Sequence, residues 1–160
     1  MTMQDAADLA TNFKLSINLS DKSGLTDEAI ANRDLVVKTY LALEAGQEDA
    51  LAKILDPGIV FVEADALPYG GTRHGISGTM EGVGAMLAAW RDIDVQIEEF
   101  LCAGDLVIAY MVFTGKSRAT GETYTGPCAE LFRMAGGKIT EWRPIYWDTQ
   151  AAAAAIGASN

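Results

Sequence analysis

The stretch Gly126-Pro-Cys-Ala-Glu-Leu-Phe-Arg-Met134, Ala135-Gly136-Gly137, Lys138-Ile-Thr-Glu-Trp-Arg-Pro-Ile-Tyr-Trp-Asp148 decides the fold class. Two runs rich in apolar, aromatic and β-branched residues flank a Gly-Gly link, and so short a link predicts a β-hairpin. Side chains alternate along a strand, so Glu130 shares a face with Cys128, Phe132 and Met134. A carboxyl group in that company sits either at a solvated edge or inside a pocket. On the second strand Pro144 cannot donate to a ladder, which predicts an edge position or a bulge. Whether Trp142 and Tyr146 or Arg143 and Trp147 face inward stays open at this level.

Strands precede the hairpin. The pattern predicts them over 94–102 and 106–118, with the hairpin strands over 123–134 and 138–147 and turns at Ala103-Gly104-Asp105 and Thr120-Gly121. Leu106 to Phe113 is apolar on both parities, so a strand there needs cover on both faces. Further upstream, Thr26 is the expected N-cap of a helix running to about Ala45, with Ile30, Val36 or Val37, Tyr40 and Leu43 at helical spacing. Gly46 fits the left-handed position after it. A short helix follows over 47–55, stopped by Asp56-Pro57-Gly58, and then a strand over 59–63. Gly70, Gly71 and Gly75 in the following loop predict tight turns or close backbone approach. Ser77 or Thr79 is the expected cap of the next helix, whose stripe is Met80, Val83, Met86 or Leu87, and Trp90. Asp148 is the expected N-cap of a short alanine-rich C-terminal helix. Residues 1–25 read as an extension, partly helical at most, that packs on a neighbour; residues 26–160 read as a single domain.

The chain of 160 residues is about one domain long, and 49% hydrophobic residues are ample for a core. A net charge of −10 argues against nucleic acid or an anionic membrane surface as partner. The two cysteines, Cys102 and Cys128, have no metal-type spacing, and one histidine cannot complete a Cys/His zinc site, so no metal is expected. The first residues lack a basic segment followed by an apolar one, and no run approaches the ~20 apolar residues of a membrane helix. A cytoplasmic protein is the expectation.

The pattern Glu-Leu-Phe-Arg-Met (130–134) and Gly-Gly-Lys-Ile-Thr-Glu-Trp (136–142) resembles the end of the SnoaL-like polyketide cyclase and ketosteroid-isomerase-like families. The resemblance extends over about residues 32–156. It implies an α+β fold, the cone-shaped nuclear-transport-factor-like architecture, with a curved, mostly antiparallel sheet packed on N-terminal helices around a pocket. Helices alone could cover the second face of 106–113; the preferred expectation is a homodimer with sheets packed back to back, which the resembling families also commonly form. Their fold hosts isomerases, cyclases, dehydratases, epoxide hydrolases and binding domains.

In such a fold Tyr40, Phe61, Trp90, Tyr110, Phe132, Trp142 and Tyr146 are the expected pocket lining, and Tyr69 a lid over its mouth. An aromatic pocket of that kind suits a flat apolar or polycyclic ligand. Glu130 falls where the resembling isomerases carry a protonated oxyanion-hole aspartate. A carboxyl buried without a cation can be raised by ~3–5 pH units and so donate a hydrogen bond to a developing oxyanion. The competing reading pairs Glu130 with Arg143 or Arg118, or leaves it solvated. The isomerases' basic aspartate aligns with Ala64, so Glu63 or Asp65 on either side is the candidate base. That departure counts against steroid isomerisation itself, and Pro144 after Trp142-Arg143 departs from the epoxide hydrolases, which carry aspartate there. His74 is read as a surface loop histidine.

Together these features point to a cofactor-independent enzyme that moves a proton α to the carbonyl of an apolar substrate, as an isomerase or cyclase. A hydrophobic-ligand-binding or dimerisation module without catalysis is the alternative. A carboxylate-assisted hydratase or hydrolase is a third.

Overall fold

The computed structural model describes residues 13–19 and 24–158. In chain order the elements are β1 (Phe13–Ile17), α1 (Asp27–Glu44), α2 (Glu48–Ile54), β2 (Leu55–Glu63), β3 (Gly71–His74), α3 (Gly75–Ala89), β4 (Trp90–Ala103), β5 (Leu106–Ser117), β6 (Thr123–Ala135), β7 (Lys138–Tyr146) and α4 (Thr149–Ala155). The strands form one mixed, mostly antiparallel sheet in the order β1-β4-β5-β6-β7-β2-β3. This is the α+β arrangement expected from the sequence.

The hairpin forms as read. Gly136 and Gly137 take φ of +55° and +72°, the left-handed pair that a two-residue link with the sheet's twist requires. Its register opposes Cys128 to Tyr146, Glu130 to Pro144 and Phe132 to Trp142. Trp142, Pro144 and Tyr146 are buried, whereas Arg143, Ile145 and Trp147 are exposed, which settles the open parity. The proline marks neither an edge nor a bulge: β7 lies inside the sheet, between β6 and β2. It is tolerated because it lies past Phe61 and Trp142, the last β2–β7 pair, where no further ladder bond is made on that side.

The helices pack on the concave face. Thr26 caps α1, its Oγ1 accepting from the Ala29 N–H at 3.2 Å, and Val36, Tyr40 and Leu43 are buried along one stripe. Asp148 caps α4 in the same way at 2.8 Å. The expected cap of α3 is corrected. The helix begins at Gly75, and Thr79 lies inside it, donating back to the Gly75 carbonyl at 2.9 Å. Trp90, expected on that helix stripe, instead opens β4. Helix α3 sits hard against β2, since a Cβ at Gly82 would come within 2.7 Å of the Phe61 ring.

Residues 13–17 are not helical. They form an edge strand parallel to β4, with Phe13 beside Ile93 and Ile17 beside Ile97. The expectation for residues 1–12 and 20–23 lies outside the described residues. Strand β3, read from sequence as loop, pairs antiparallel with β2 from Val60 and His74 to Glu63 and Gly71.

On β5, Val107, Ala109, Met111 and Phe113 face the core. Tyr110, of opposite parity, is therefore on the convex face with Leu101 and Ile145, where the three expose 39%, 52% and 48% of their surface. Among the described residues no helix is long and apolar enough to cross a membrane.

Candidate functional site

Between the helices and the concave face lies a narrow cavity lined by aromatic and aliphatic side chains, among them Tyr40, Phe61, Phe113, Trp142 and Tyr146, and by two carboxyl residues, Glu63 and Glu130. The volume open to the centre of a water-sized sphere is about 30 Å³. On that measure one water needs ~10–15 Å³, so a polycyclic ligand enters only if the walls move.

Glu130 is placed by β6 and fixed by its neighbours. The Tyr40 hydroxyl, projecting from α1, donates to Oε2 at 2.8 Å, and the Trp142 indole N–H donates to the same oxygen at 2.7 Å. Trp142 stands one diagonal step from Glu130 in the ladder, a span that a long aromatic side chain bridges. Its ring is clamped by stacking on Phe132 (centroids 5.4 Å apart) and by the edge of Phe61 (5.3 Å), while Tyr40 packs edge-on to Phe132 at 6.0 Å. Burial raises the Glu130 carboxyl above its ordinary value, and the two donors pull it back by favouring the anion. Neither arginine reaches it. Arg143 pairs with Glu141 on the convex face, and Arg118 donates to the Trp90 carbonyl at 3.1 Å.

Glu63 ends β2 and shares inward parity with Ile59 and Phe61. The chain then turns so tightly that a Cβ on Gly70 would come within 2.2 Å of the Ala64 carbonyl oxygen. Only glycine permits that closure, which buries Glu63 to 3% exposure and brings Tyr69 inside. Arg73 holds the turn by donating to the Tyr69 carbonyl at 2.9 Å. Glu63 Oε2 is buried with no hydrogen-bond partner. Burial, then the nearby Glu130 charge, pushes its carboxyl from an ordinary 4.5 up to about 8, against weaker opposing pulls from the Ala64 backbone and Arg73.

The sequence-derived candidates divide cleanly. Tyr40, Phe61, Glu63, Glu130, Trp142 and Tyr146 line the cavity. Phe132 and Trp90 support it from behind as buried rings. Tyr69 is no surface flap: it is 3% exposed, and its hydroxyl accepts from the Trp90 indole at 2.9 Å and shares a hydrogen bond with Tyr146 at 3.2 Å. Tyr110 is corrected to the convex face, because the parity that buries Ala109 and Met111 turns it outward. Asp65 is exposed on the turn and does not enter the cavity, and His74 is exposed as read. Sequence reading missed Phe13, Phe113 and Cys128 as lining. The parity of Glu130 already carried Cys128 inward, whereas nothing local marked Phe13. Among the described residues no cluster of three or more His, Cys, Asp or Glu could hold a metal ion.

Similar folds occur in solved structures. A protein from Jannaschia sp. CCS1 classed as a SnoaL-like polyketide cyclase superposes with a TM-score of 0.75 at 19% identity, over 86% of this chain and 99% of that one. TerC, co-crystallised with polyporic acid, gives 0.70 at 21% identity over 79% and 98%. A ketosteroid-isomerase-like-fold protein from Catenulispora acidiphila DSM 44928, in complex with trimethylamine, gives 0.59 at 24% over 71% and 85%. No curated protein matches the chain. The sequence profile of the SnoaL-like domain matches residues 36–142, and the protein therefore belongs to the SnoaL-like domain family.

Proposed function

We propose that the cavity is an acid–base site that moves a proton next to the carbonyl group of a small apolar substrate, without a cofactor, as an isomerase or cyclase. One observation carries this reading: two carboxyl groups with contrasting hydrogen-bond surroundings face one apolar cavity. Glu130 accepts two hydrogen bonds on Oε2, which favours its anion, while Glu63 is buried with a free oxygen and holds its proton past neutrality. The roles therefore run opposite to those expected from the sequence. Glu130 is the base that takes the α-proton, the C–H electron pair shifts toward the carbonyl, and protonated Glu63 hydrogen-bonds to or protonates the oxygen. Asp65 has no part.

Two of the similar structures contain small molecules, polyporic acid with TerC and trimethylamine with the Catenulispora protein, which supports a small-molecule ligand for this chain as well. The aromatic lining favours a flat apolar carbonyl compound, admitted by displacement of the cavity wall. A second copy of the chain packing on the convex sheet face would cover Leu101, Tyr110 and Ile145, so the proposed unit is a homodimer.

The test is deuterium exchange of enolisable ketones in heavy water, followed by proton NMR. The wild type is expected to accelerate α-exchange, and Glu130→Gln to lower the rate by about 10²-fold or more. Tight ligand binding without exchange would instead identify a binding module. Exchange undiminished in Glu130→Gln would remove the base.

A further inference from the structure

From the hydrogen-bond count around Tyr69 we infer that Tyr146 is a catalytic residue, the O–H donor to the substrate's oxygen, and that Tyr69 and Trp90 are positioning residues that aim it. The inference rests on the acid–base reading of the cavity and adds the group that recognises the oxygen.

An indole N–H can only donate, so the Trp90 ring uses one lone pair of the Tyr69 hydroxyl. Tyr69 and Tyr146 then share a single bond at 3.2 Å, in which either oxygen can donate. Two hydroxyl protons thus serve one bond, and one proton is left over. Of the two rings it is Tyr146 that lines the cavity, so the arrangement with Tyr69 donating to Tyr146 turns the spare proton into it. Both oxygens are buried, and a buried O–H without an acceptor is unfavourable until a ligand supplies one.

The same cavity holds the complementary group. Glu63 Oε2 is buried without a partner, and its carboxyl is close enough to both tyrosines to act on them electrostatically. A carbonyl oxygen placed there would accept from Tyr146 and from protonated Glu63 together. The sheet register sets the other end of the substrate. Tyr146 opposes Cys128, and Glu130 opposes Pro144, one inward-facing pair away. Successive inward pairs lie ~7 Å apart along the strands. An oxygen at Tyr146 and a reacting carbon within reach of Glu130 therefore describe a short ketone or enone whose exchangeable carbon is a few bonds from its oxygen. Trp90 gives the relay a rigid origin, since its ring is fully buried and packs edge-on against Phe113 at 5.7 Å.

The probe is 4-nitrophenol, whose phenolate mimics an enolate oxygen and is read by its visible absorbance. Wild-type protein is titrated with it across neutral pH, together with Tyr146→Phe and Tyr69→Phe, each checked for native near-UV circular dichroism. The expected result is that wild type binds the phenolate and lowers the ionisation midpoint of the bound phenol. Tyr146→Phe should weaken phenolate binding about 10- to 100-fold, with the midpoint returning toward that of free phenol. Tyr69→Phe, which frees Tyr146 to turn, should lose several-fold and shift the midpoint in the same direction. Wild-type protein that fails to bind the phenolate, or a Tyr146→Phe protein that binds and ionises it like wild type, overturns the inference. Ketone exchange is read separately. Exchange that depends on Glu130 but not on Tyr146 would leave the acid–base reading standing and remove only the role of Tyr146.

Discussion

Replacing Glu63 by glutamine tests the centre of the site through stability alone, with no substrate required. The carboxyl is 3% exposed and its proton affinity lies near pH 8 in the folded chain, against an ordinary 4.5. A folded-state value above the unfolded one means that folding retains the proton. The stabilising contribution is complete below about pH 4.5 and is lost as pH rises toward 8. One proton corresponds to a slope of about 1.4 kcal/mol per pH unit, so the window spans roughly 5 kcal/mol. That is a large share of the ~5–15 kcal/mol that holds a typical domain together. Glutamine keeps the shape and cannot ionise. Urea midpoints for wild type and Glu63→Gln, measured at fixed protein concentration from pH 5 to pH 9, should diverge steadily between pH 5 and 8 in favour of the variant and run parallel above. Glu130 adds a slope of its own to both proteins, so the difference between the curves is the reading. Parallel curves across the whole range would refute the claim that Glu63 is buried, with Oε2 unpartnered, and protonated.

Trp142→Phe removes one of the two donors to Glu130, so the Glu130 carboxyl should rise further in carboxyl-carbon NMR titrations; hydrogen bonds to charged groups of this kind are worth ~1.5–3 kcal/mol. A fall, or no change, would mean that the 2.7 Å bond does not stabilise the anion. Gly82→Ala gains up to ~1 kcal/mol in helix propensity but drives a methyl group into the Phe61 ring, at a cost of ~1–3 kcal/mol. A net loss of thermal stability is expected by calorimetry, and a gain would show that α3 does not press on β2 as closely as 2.7 Å implies. Tyr110→Lys puts a charge on the convex face, away from the cavity, and should convert the proposed dimer to monomers in sedimentation velocity while leaving ligand binding intact; unchanged sedimentation would place the contact elsewhere.

Much of this molecule was legible in the sequence because local chemistry dictates it. The Gly136-Gly137 turn, the caps at Thr26 and Asp148, and the period-2 pattern of the hairpin each rest on a few neighbouring residues, so they could be read without knowing what packs where. The resemblance of residues 130–142 to SnoaL-like chains carried the fold class. Parity along β6 carried Glu130 inward, and one face of β5 had to be core. Which face was the question that composition could not answer. With both parities of 106–113 apolar, only the ladder with β4 and β6 decides that Ala109 and Met111 face the core and Tyr110 does not. The choice between Glu63 and Asp65 is also tertiary, because it depends on the tight closure at Gly70 against Ala64, a contact between backbone atoms. Likewise, the hydrogen bonds that oppose the effect of burial on Glu130 come from a hydroxyl 90 residues away on α1 and an indole across the hairpin, whose convergence on one oxygen exists only once helix and sheet have packed. A sequence can state that a carboxyl group will be buried, but what it is buried beside fixes whether it holds its proton, and the packing of the whole chain decides that.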